Sequence, residues 1–239
     1  MRDRILRAVR RRWNVVRHRG DRVECPLCGG QFTAFAPRWN TADAICWRCG
    51  SHERHRALYV YLTELRPELL PGTSSLLHFA PEWGIQPLLR GIPGLRYVTC
   101  DLDPDYGDLT IDITDIALDD ASFGAVICSH VLEHVEDDRQ AMAELNRVVE
   151  PGGWAIVMVP LDHARAETLE DPDVTTPEQR QEAYWQDDHV RLYGRDLADR
   201  LSGAGFDVEV EAPAALLPPD RAARLRLLEQ DAVFLCRRL

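Results

Sequence analysis

The sequence predicts an α/β protein, a mostly parallel sheet covered on both faces, preceded by a small N-terminal zinc-ribbon module. Two observations carry this. From residue 73 onward, short apolar runs alternate with stretches of helical periodicity. Ahead of them, Cys25, Cys28, Cys46 and Cys49 stand in the spacing C-x2-C-x17-C-x2-C. The composition agrees: 239 residues, 45% hydrophobic and 28% charged, is a globular make-up that excludes disordered and collagen-like classes. The length suits one domain of moderate size plus an appendage.

Charge divides the chain into three. Residues 1–22 form a basic arm with nine arginines against Asp3 and Asp21. Residues 23–70, the cysteine module and a connecting helix, balance to zero, and residues 71–239 carry a net −18. So acidic a body repels phosphate backbones, which disfavours nucleic acid as a partner of the main domain. All 28 basic residues are arginine, so a Schiff-base or P-loop lysine is excluded. In the arm, Ile5, Leu6, Val9, Trp13 and Val16 recur at helical spacing among the arginines. Such a basic amphipathic helix can lie on a membrane, bind nucleic acid or dock on the acidic body. No run of eighteen apolar residues exists, so no membrane span is expected. The start lacks the apolar region of a secretory signal, and the expected location is cytoplasmic.

The two knuckles, in CPLCGG and CWRCG, place four thiolates around one Zn²⁺ at roughly 2.3 Å. Four sulfur ligands leave no open position, so the ion is structural. Gly29, Gly30 and Gly50 follow the knuckles, where tight turns need a permissive backbone. Next, Ser51 is placed to cap a helix bearing Leu58, Tyr59, Tyr61, Leu62 and Leu65, and Arg54 with Arg56 could hold an anion. Cys100, Cys128 and Cys236 lie in apolar runs and read as buried thiols.

In the body, strands are expected at Ser75–Ala80, Arg96–Asp101, Phe123–Ser129 and Trp154–Pro160. A helix spans Arg139–Val149 and is stopped by Glu150-Pro151-Gly152-Gly153. Ligands of such sheets sit beyond the carboxyl ends of the strands. After the first strand comes His78-Phe79-Ala80-Pro81-Glu82-Trp83-Gly84, with one glycine and a carboxylate that would repel a pyrophosphate. NAD and FAD are therefore disfavoured, whereas a cationic nucleoside is not. After the second, Asp101 in Cys100-Asp101-Leu102-Asp103 stands where an acid can accept from two ribose hydroxyls. Asp112 and Ile113 follow, where an adenine amino group could be met. After the strand at Phe123–Ser129 comes His130-Val131-Leu132-Glu133-His134, which departs from H-E-x-x-H and shows no third ligand, so no second metal is expected.

Phe123-Gly124-Ala125-Val126-Ile127-Cys128-Ser129-His130-Val131-Leu132-Glu133-His134, followed by Ala143-Glu144-Leu145-Asn146-Arg147-Val148-Val149-Glu150-Pro151-Gly152-Gly153, resembles class I S-adenosylmethionine-dependent methyltransferases of type 11. With CPLCGG, CGSHERHR, HFAPE and DHVRLYG, the whole chain is similar to a bacterial subgroup carrying a zinc ribbon. The resemblance implies a Rossmann-like seven-stranded sheet ending in a hairpin of Phe206–Glu211 and Ala232–Cys236, the last strand antiparallel. It implies that Asp101, with Leu102 beside it, binds the ribose, that Asp112 and Ile113 flank the adenine, and that Ser129 and His130 line the methionine end. The first loop departs from the family's acid followed by G-x-G-x-G: His78, Ala80, Glu82 and Gly84 stand there, with Phe79 between, and Glu82 could face the ligand's ammonium group.

Methyl transfer needs alignment above all, and a hydroxyl acceptor gains roughly 10²- to 10⁴-fold from a general base. His130, His134 and His189 are the candidates. The acidic, weakly periodic stretch 161–194 reads as a substrate-side insert, with Trp185, Arg191 and Tyr193 as acceptor-binding residues. The leading expectation is a methyltransferase acting on a hydroxyl or amine of a small molecule or saccharide. An RNA base methyltransferase gripping RNA through the ribbon, and a non-catalytic zinc-ribbon adaptor, stand as alternatives.

Overall fold

The computed structural model describes the backbone of residues 2–38 and 41–239, and the side chains of 10–38 and 41–239. The chain forms two compact units. The first comprises the chain up to Leu70 together with Glu82–Pro87 and Pro213–Glu229, and the second holds the remainder. The two later segments fold with the cysteine module although they lie within the stretch 71–239. Among the described residues no helix is long and apolar enough to cross a membrane.

In the first unit, a helix over Arg2–Arg17 leads into two antiparallel hairpins, β1 (Arg19–Cys25) with β2 (Gly30–Phe32) and β3 (Ala36–Arg38) with β4 (Thr41–Ile45). The side chains of Ile5, Leu6 and Val9 lie outside the described residues, and Trp13 and Val16 are exposed. The knuckles close as the spacing requires: Gly29 N–H donates to Cys25 O at 2.8 Å and Gly50 N–H to Cys46 O at 2.7 Å. Both glycines are left-handed, at φ 66° and 75°, a conformation that penalises a Cβ. The following helix, Glu53–Val60, starts after His52 and not Ser51. The Ser51 hydroxyl instead turns to the sulfurs of Cys25 (3.1 Å) and Cys49 (3.3 Å).

Arg56 is committed to the chain's own carbonyls rather than turned outward to an anion. Its guanidinium is buried over the Phe35 ring and donates to the carbonyls of Leu225 (2.6 Å), Ala44 (2.9 Å), Ser51 and Arg226 (both 3.2 Å). A planar fork of five donors suits this task, tying the Pro213–Glu229 segment to the hairpins.

The second unit is a seven-stranded sheet: β5 (Ser75–Phe79), β6 (Arg96–Asp101), β7 (Leu109–Thr110), β8 (Phe123–Ser129), β9 (Val149–Met158), β10 (Phe206–Glu211) and β11 (Val233–Arg238). Their order is β10-β11-β9-β8-β5-β6-β7. All neighbours from β9 to β7 are parallel, and β11 runs antiparallel to both β9 and β10. The core joins inward residues of these strands to the apolar face of the helix Asp138–Val148, whose Ala141, Leu145 and Val148 are buried. Asp137 caps that helix by accepting from Gln140 N–H at 3.0 Å. Glu150-Pro151-Gly152-Gly153 does not separate helix from strand. Phe123 pairs with Val149 and Ala125 with Trp154, so the four residues bulge out within β9.

Candidate functional site

Strand order reverses between β5 and β8, and the crevice beyond such a switch is where open α/β sheets bind ligands. A cavity of about 480 Å³ opens there. Its wall is supplied by four strand ends: Phe79 and Ala80 after β5, Asp101 and Leu102 after β6, Ile111–Thr114 after β7, and His130, Val131 and His134–Asp137 after β8. That volume lies within the range of small-molecule sites.

The carboxylates differ. Asp101 Oδ1 accepts from Asp103 N–H at 2.9 Å, which leaves the second oxygen uncommitted among the described residues. Asp112 Oδ1 accepts from Thr114 N–H (2.8 Å) and Thr114 Oγ1–H (2.7 Å), and those two bonds hold its pKa below the usual carboxylate value. Ala80 and His130 both have positive φ, 45° and 56°. Ala80 thus takes the left-handed turn that a glycine of the first loop would take, which the residue type alone does not disclose. His130 is held in a sparsely populated conformation at the end of β8, the kind of strain that collects at functional sites.

Four of the expected cofactor residues lie elsewhere. His78 points into the interior of the sheet, fully buried, with Nδ1 2.9 Å from the Tyr97 hydroxyl, and is no part of the wall. Ser129 is also buried outside the wall, and its Oγ has no hydrogen-bond partner among the described residues. Glu82 and Gly84 fold with the first unit. Glu82 O accepts from Ile85 N–H at 2.9 Å, and a Cβ on Gly84 would sit 2.7 Å from Leu27 Cδ2, so this glycine permits close packing rather than a ligand's approach.

The insert 161–194 also departs from expectation. Arg191 is buried and occupied internally: it donates to Leu132 O (3.0 Å), Val135 O, Glu136 O (2.9 Å) and Glu170 Oε1 (2.8 Å). Tyr193 is fully buried with its hydroxyl donating to Asp138 Oδ2 at 2.9 Å, where Arg200 also ends at 3.0 Å. Both brace the turn after β8 and neither faces the cavity. Trp185, at φ 74°, is half-exposed after the helix Pro177–Tyr184 and likewise outside the wall.

His189 meets His134 edge to face, ring centroids 4.8 Å apart. It is buried, with Nδ1 2.8 Å from Tyr184 O and Nε2 2.8 Å from the Gln186 amide. Burial pulls its pKa down, against the raising influence of Glu133. Glu133 is buried between the two histidines of the turn, and His130 Nδ1 lies 3.2 Å from its Oε1 as an ion-pair contact outside hydrogen-bond alignment. Burial works to raise the pKa of this carboxyl, but His130 and then His134 hold it below the usual value. One ligand atom each from Glu133, His134 and His189 lies within 4.8 Å of the others, so the third group that the linear spacing lacks comes from 55 residues further on. The four thiols of Cys25, Cys28, Cys46 and Cys49 form a second such group.

Comparison with known proteins agrees with this fold. Residues 95–157 match a sequence family described as a methyltransferase domain, a span containing Asp101, Asp112, His130, Glu133 and His134. An uncharacterized 37.1 kDa protein in transposon TN4556 of Streptomyces fradiae is 33% identical over 122 residues, 49% of this chain and 34% of that protein. This match thus spans about a third of the relative's length. Among solved structures, a SAM-dependent methyltransferase from Archaeoglobus fulgidus superposes with a TM-score of 0.53 at 14% identity, over 80% of this chain and 96% of that one. The [4+2]-cyclase SpnF superposes at 0.55 with 15% identity, over 90% and 91%. At such identities the likeness shows the fold alone, and a cyclase on the same scaffold illustrates why.

Proposed function

We propose that this chain, which carries a class I S-adenosylmethionine-dependent methyltransferase domain, transfers the methyl group to a hydroxyl or amine of a small molecule or saccharide. The observation behind this is the wall of the cavity, in which apolar side chains with Asp101 and Asp112 come from the ends of β6 and β7, and His130 and His134, with Glu136 and Asp137, from the turn after β8. Ile111, Ile113, Leu102 and Phe79 would hold the adenine, Asp112 its amino group, and Asp101 the ribose hydroxyls. A cofactor with no phosphates asks less of the first loop, which fits Ala80 in place of a glycine.

S-adenosylmethionine, when bound, supplies a methyl electrophile on its sulfonium. The chain's residues do the rest. His130, in the wall and with Nδ1 turned to Glu133, is placed to take a proton at Nε2. The acceptor oxygen would give up that proton as its bond to the methyl carbon forms and the carbon–sulfur bond breaks, leaving a methyl ether and S-adenosylhomocysteine. The same arrangement would serve a neutral amine.

The four-cysteine cluster reads as a structural zinc site. The acidic body argues against RNA as acceptor. Incubating the full chain with methyl-labelled cofactor and panels of sugars, sugar nucleotides, amines and RNA tests the reading. Label in a hydroxyl or amine of a small molecule or sugar supports it; label confined to RNA, or no binding of S-adenosylhomocysteine, overturns it. Tyr193→Phe provides the structural control, since it removes one buried hydrogen bond to Asp138. It should lower stability by about 1–2 kcal/mol, read as a fall in Tm, with S-adenosylhomocysteine affinity unchanged.

A further inference from the structure

The turn after β8 holds more than a base. We propose that Glu133, His134 and His189 form a second metal site, one that takes a divalent first-row cation beside the transfer point. This rests on the methyltransferase reading for its role but not for its existence.

Three independent features point to a cation. The first is the donor set: one carboxylate and two imidazoles whose ligand atoms lie within 4.8 Å of one another. At metal–ligand distances of about 2.1 Å, small side-chain rotations bring such atoms into one coordination sphere. The second is Glu133. It is 1% exposed and neither carboxylate oxygen has an aligned hydrogen bond among the described residues, although His130 Nδ1 stands 3.2 Å from Oε1. A buried carboxylate left with one misaligned imidazole and a second oxygen without a partner is costly, and a coordinated cation offsets that cost.

The third is the orientation of the rings. His189 Nδ1 lies 2.8 Å from Tyr184 O, so that nitrogen carries the proton and Nε2 presents its lone pair. His134 Nδ1 lies 3.3 Å from Asp188 O and 3.4 Å from Asp188 Oδ2, which likewise leaves Nε2 for a ligand. Metal-binding histidines are held in this way, the distal nitrogen donating to a carbonyl or carboxylate. The Gln186 amide now meets His189 Nε2 at 2.8 Å and would have to swing aside.

Mixed nitrogen and oxygen ligands suit Mn²⁺, Fe²⁺ or Zn²⁺, and differ from the all-sulfur set of the cysteine cluster. Three protein ligands leave positions open, the mark of a site that receives substrate. His134 itself lines the cavity, which puts one ligand of the site at the wall where an acceptor would sit. There a hydroxyl oxygen would be oriented and its proton made easier for His130 to remove.

The test uses the zinc-loaded full chain and Mn²⁺, a harder ion that thiolates bind poorly. Electron paramagnetic resonance counts the Mn²⁺ that leaves the free pool. One Mn²⁺ per chain is expected, with affinity falling more than about tenfold in Glu133→Gln and in His134→Gln, and about tenfold in Asp188→Ala, which removes only the outer carboxylate. His134 is exposed, so its substitution keeps the test informative should Glu133→Gln fail to fold. No Mn²⁺ uptake by the wild type, or equal uptake by His134→Gln, overturns the site. Calorimetry with S-adenosylhomocysteine on the same samples keeps the two ideas apart. Cofactor binding without Mn²⁺ uptake removes the metal and spares the transferase, and Mn²⁺ uptake without cofactor binding does the reverse.

Discussion

Asp101→Ala is expected to weaken S-adenosylhomocysteine binding by at least about a hundredfold, measured by calorimetry, with little change in Tm. Its carboxylate ends β6 at the mouth of the cavity and keeps one oxygen uncommitted. Hydrogen bonds to a charged acceptor contribute about 1.5–3 kcal/mol each, and two ribose hydroxyls would use two. At about 1.4 kcal/mol per tenfold, their joint loss exceeds two orders of magnitude. A second effect has to be separated from this. The same carboxylate accepts from Asp103 N–H and so shapes the turn carrying Leu102, another wall residue. Asp101→Asn divides the two contributions, since an amide oxygen still accepts from Asp103 while the second position becomes a donor. The asparagine variant should retain the turn and lose about tenfold or more in affinity. Unchanged affinity in the alanine variant would remove the ribose assignment and, with it, the placement of the adenosine.

How far the sequence discloses the site depends on which interactions set each residue's environment. Asp101, Leu102 and His130 are legible because Asp101 closes β6, Leu102 follows it and His130 follows β8, strand ends that apolar runs and the turns closing them disclose, whereas Asp112 and Ile113 follow β7, a two-residue strand that no apolar run marks. The parallel sheet is legible for the same reason, since alternating local periodicity dictates a covered sheet, whereas the terminal hairpin follows from the family resemblance. Arg191 and Tyr193 are not. A polar residue in an acidic insert looks solvent-facing until the chain brings Leu132, Val135, Glu136 and Asp138 around it, 53 to 61 positions away in sequence. Arg56 is hidden in the same way, because its partners Leu225 and Arg226 come from a segment that local patterning assigns to the body. His189 shows the sharper difference. Its residue type marks it for chemistry, but only the fold reveals that it stands against Glu133 and His134 and outside the cavity wall. Ala80 escapes from the opposite side, since a left-handed alanine carries no mark in its side chain.

Cys46→Ser should unfold the two hairpins of the first unit. Two of the five fully buried residues in its cysteine-side core, Cys25 and Cys46, are themselves members of the thiol cluster, beside Val23, Phe32 and Phe35. The sulfurs lie 3.4 Å apart for Cys25 and Cys49 and 3.7 Å for Cys28 and Cys46, and no disulfide joins them. A core of that size supplies little apolar burial to the hairpins, and a zinc ion held by the four thiolates would carry the difference. Structural zinc in small modules contributes an apparent 10–16 kcal/mol, roughly the whole stability of an ordinary domain. The expected result is therefore loss of one zinc per chain by atomic emission, together with loss of hydrogen-exchange protection at the amides of Gly29 and Gly50, which close the knuckles onto Cys25 O and Cys46 O. Ser51→Ala provides a graded companion. Its hydroxyl touches two of the sulfurs without being a ligand, so the ion should stay while zinc affinity falls about tenfold. A Cys46→Ser chain that has lost its zinc but still protects both glycine amides would show that apolar packing alone supports the hairpins, and the metal would then need a role other than bracing the fold.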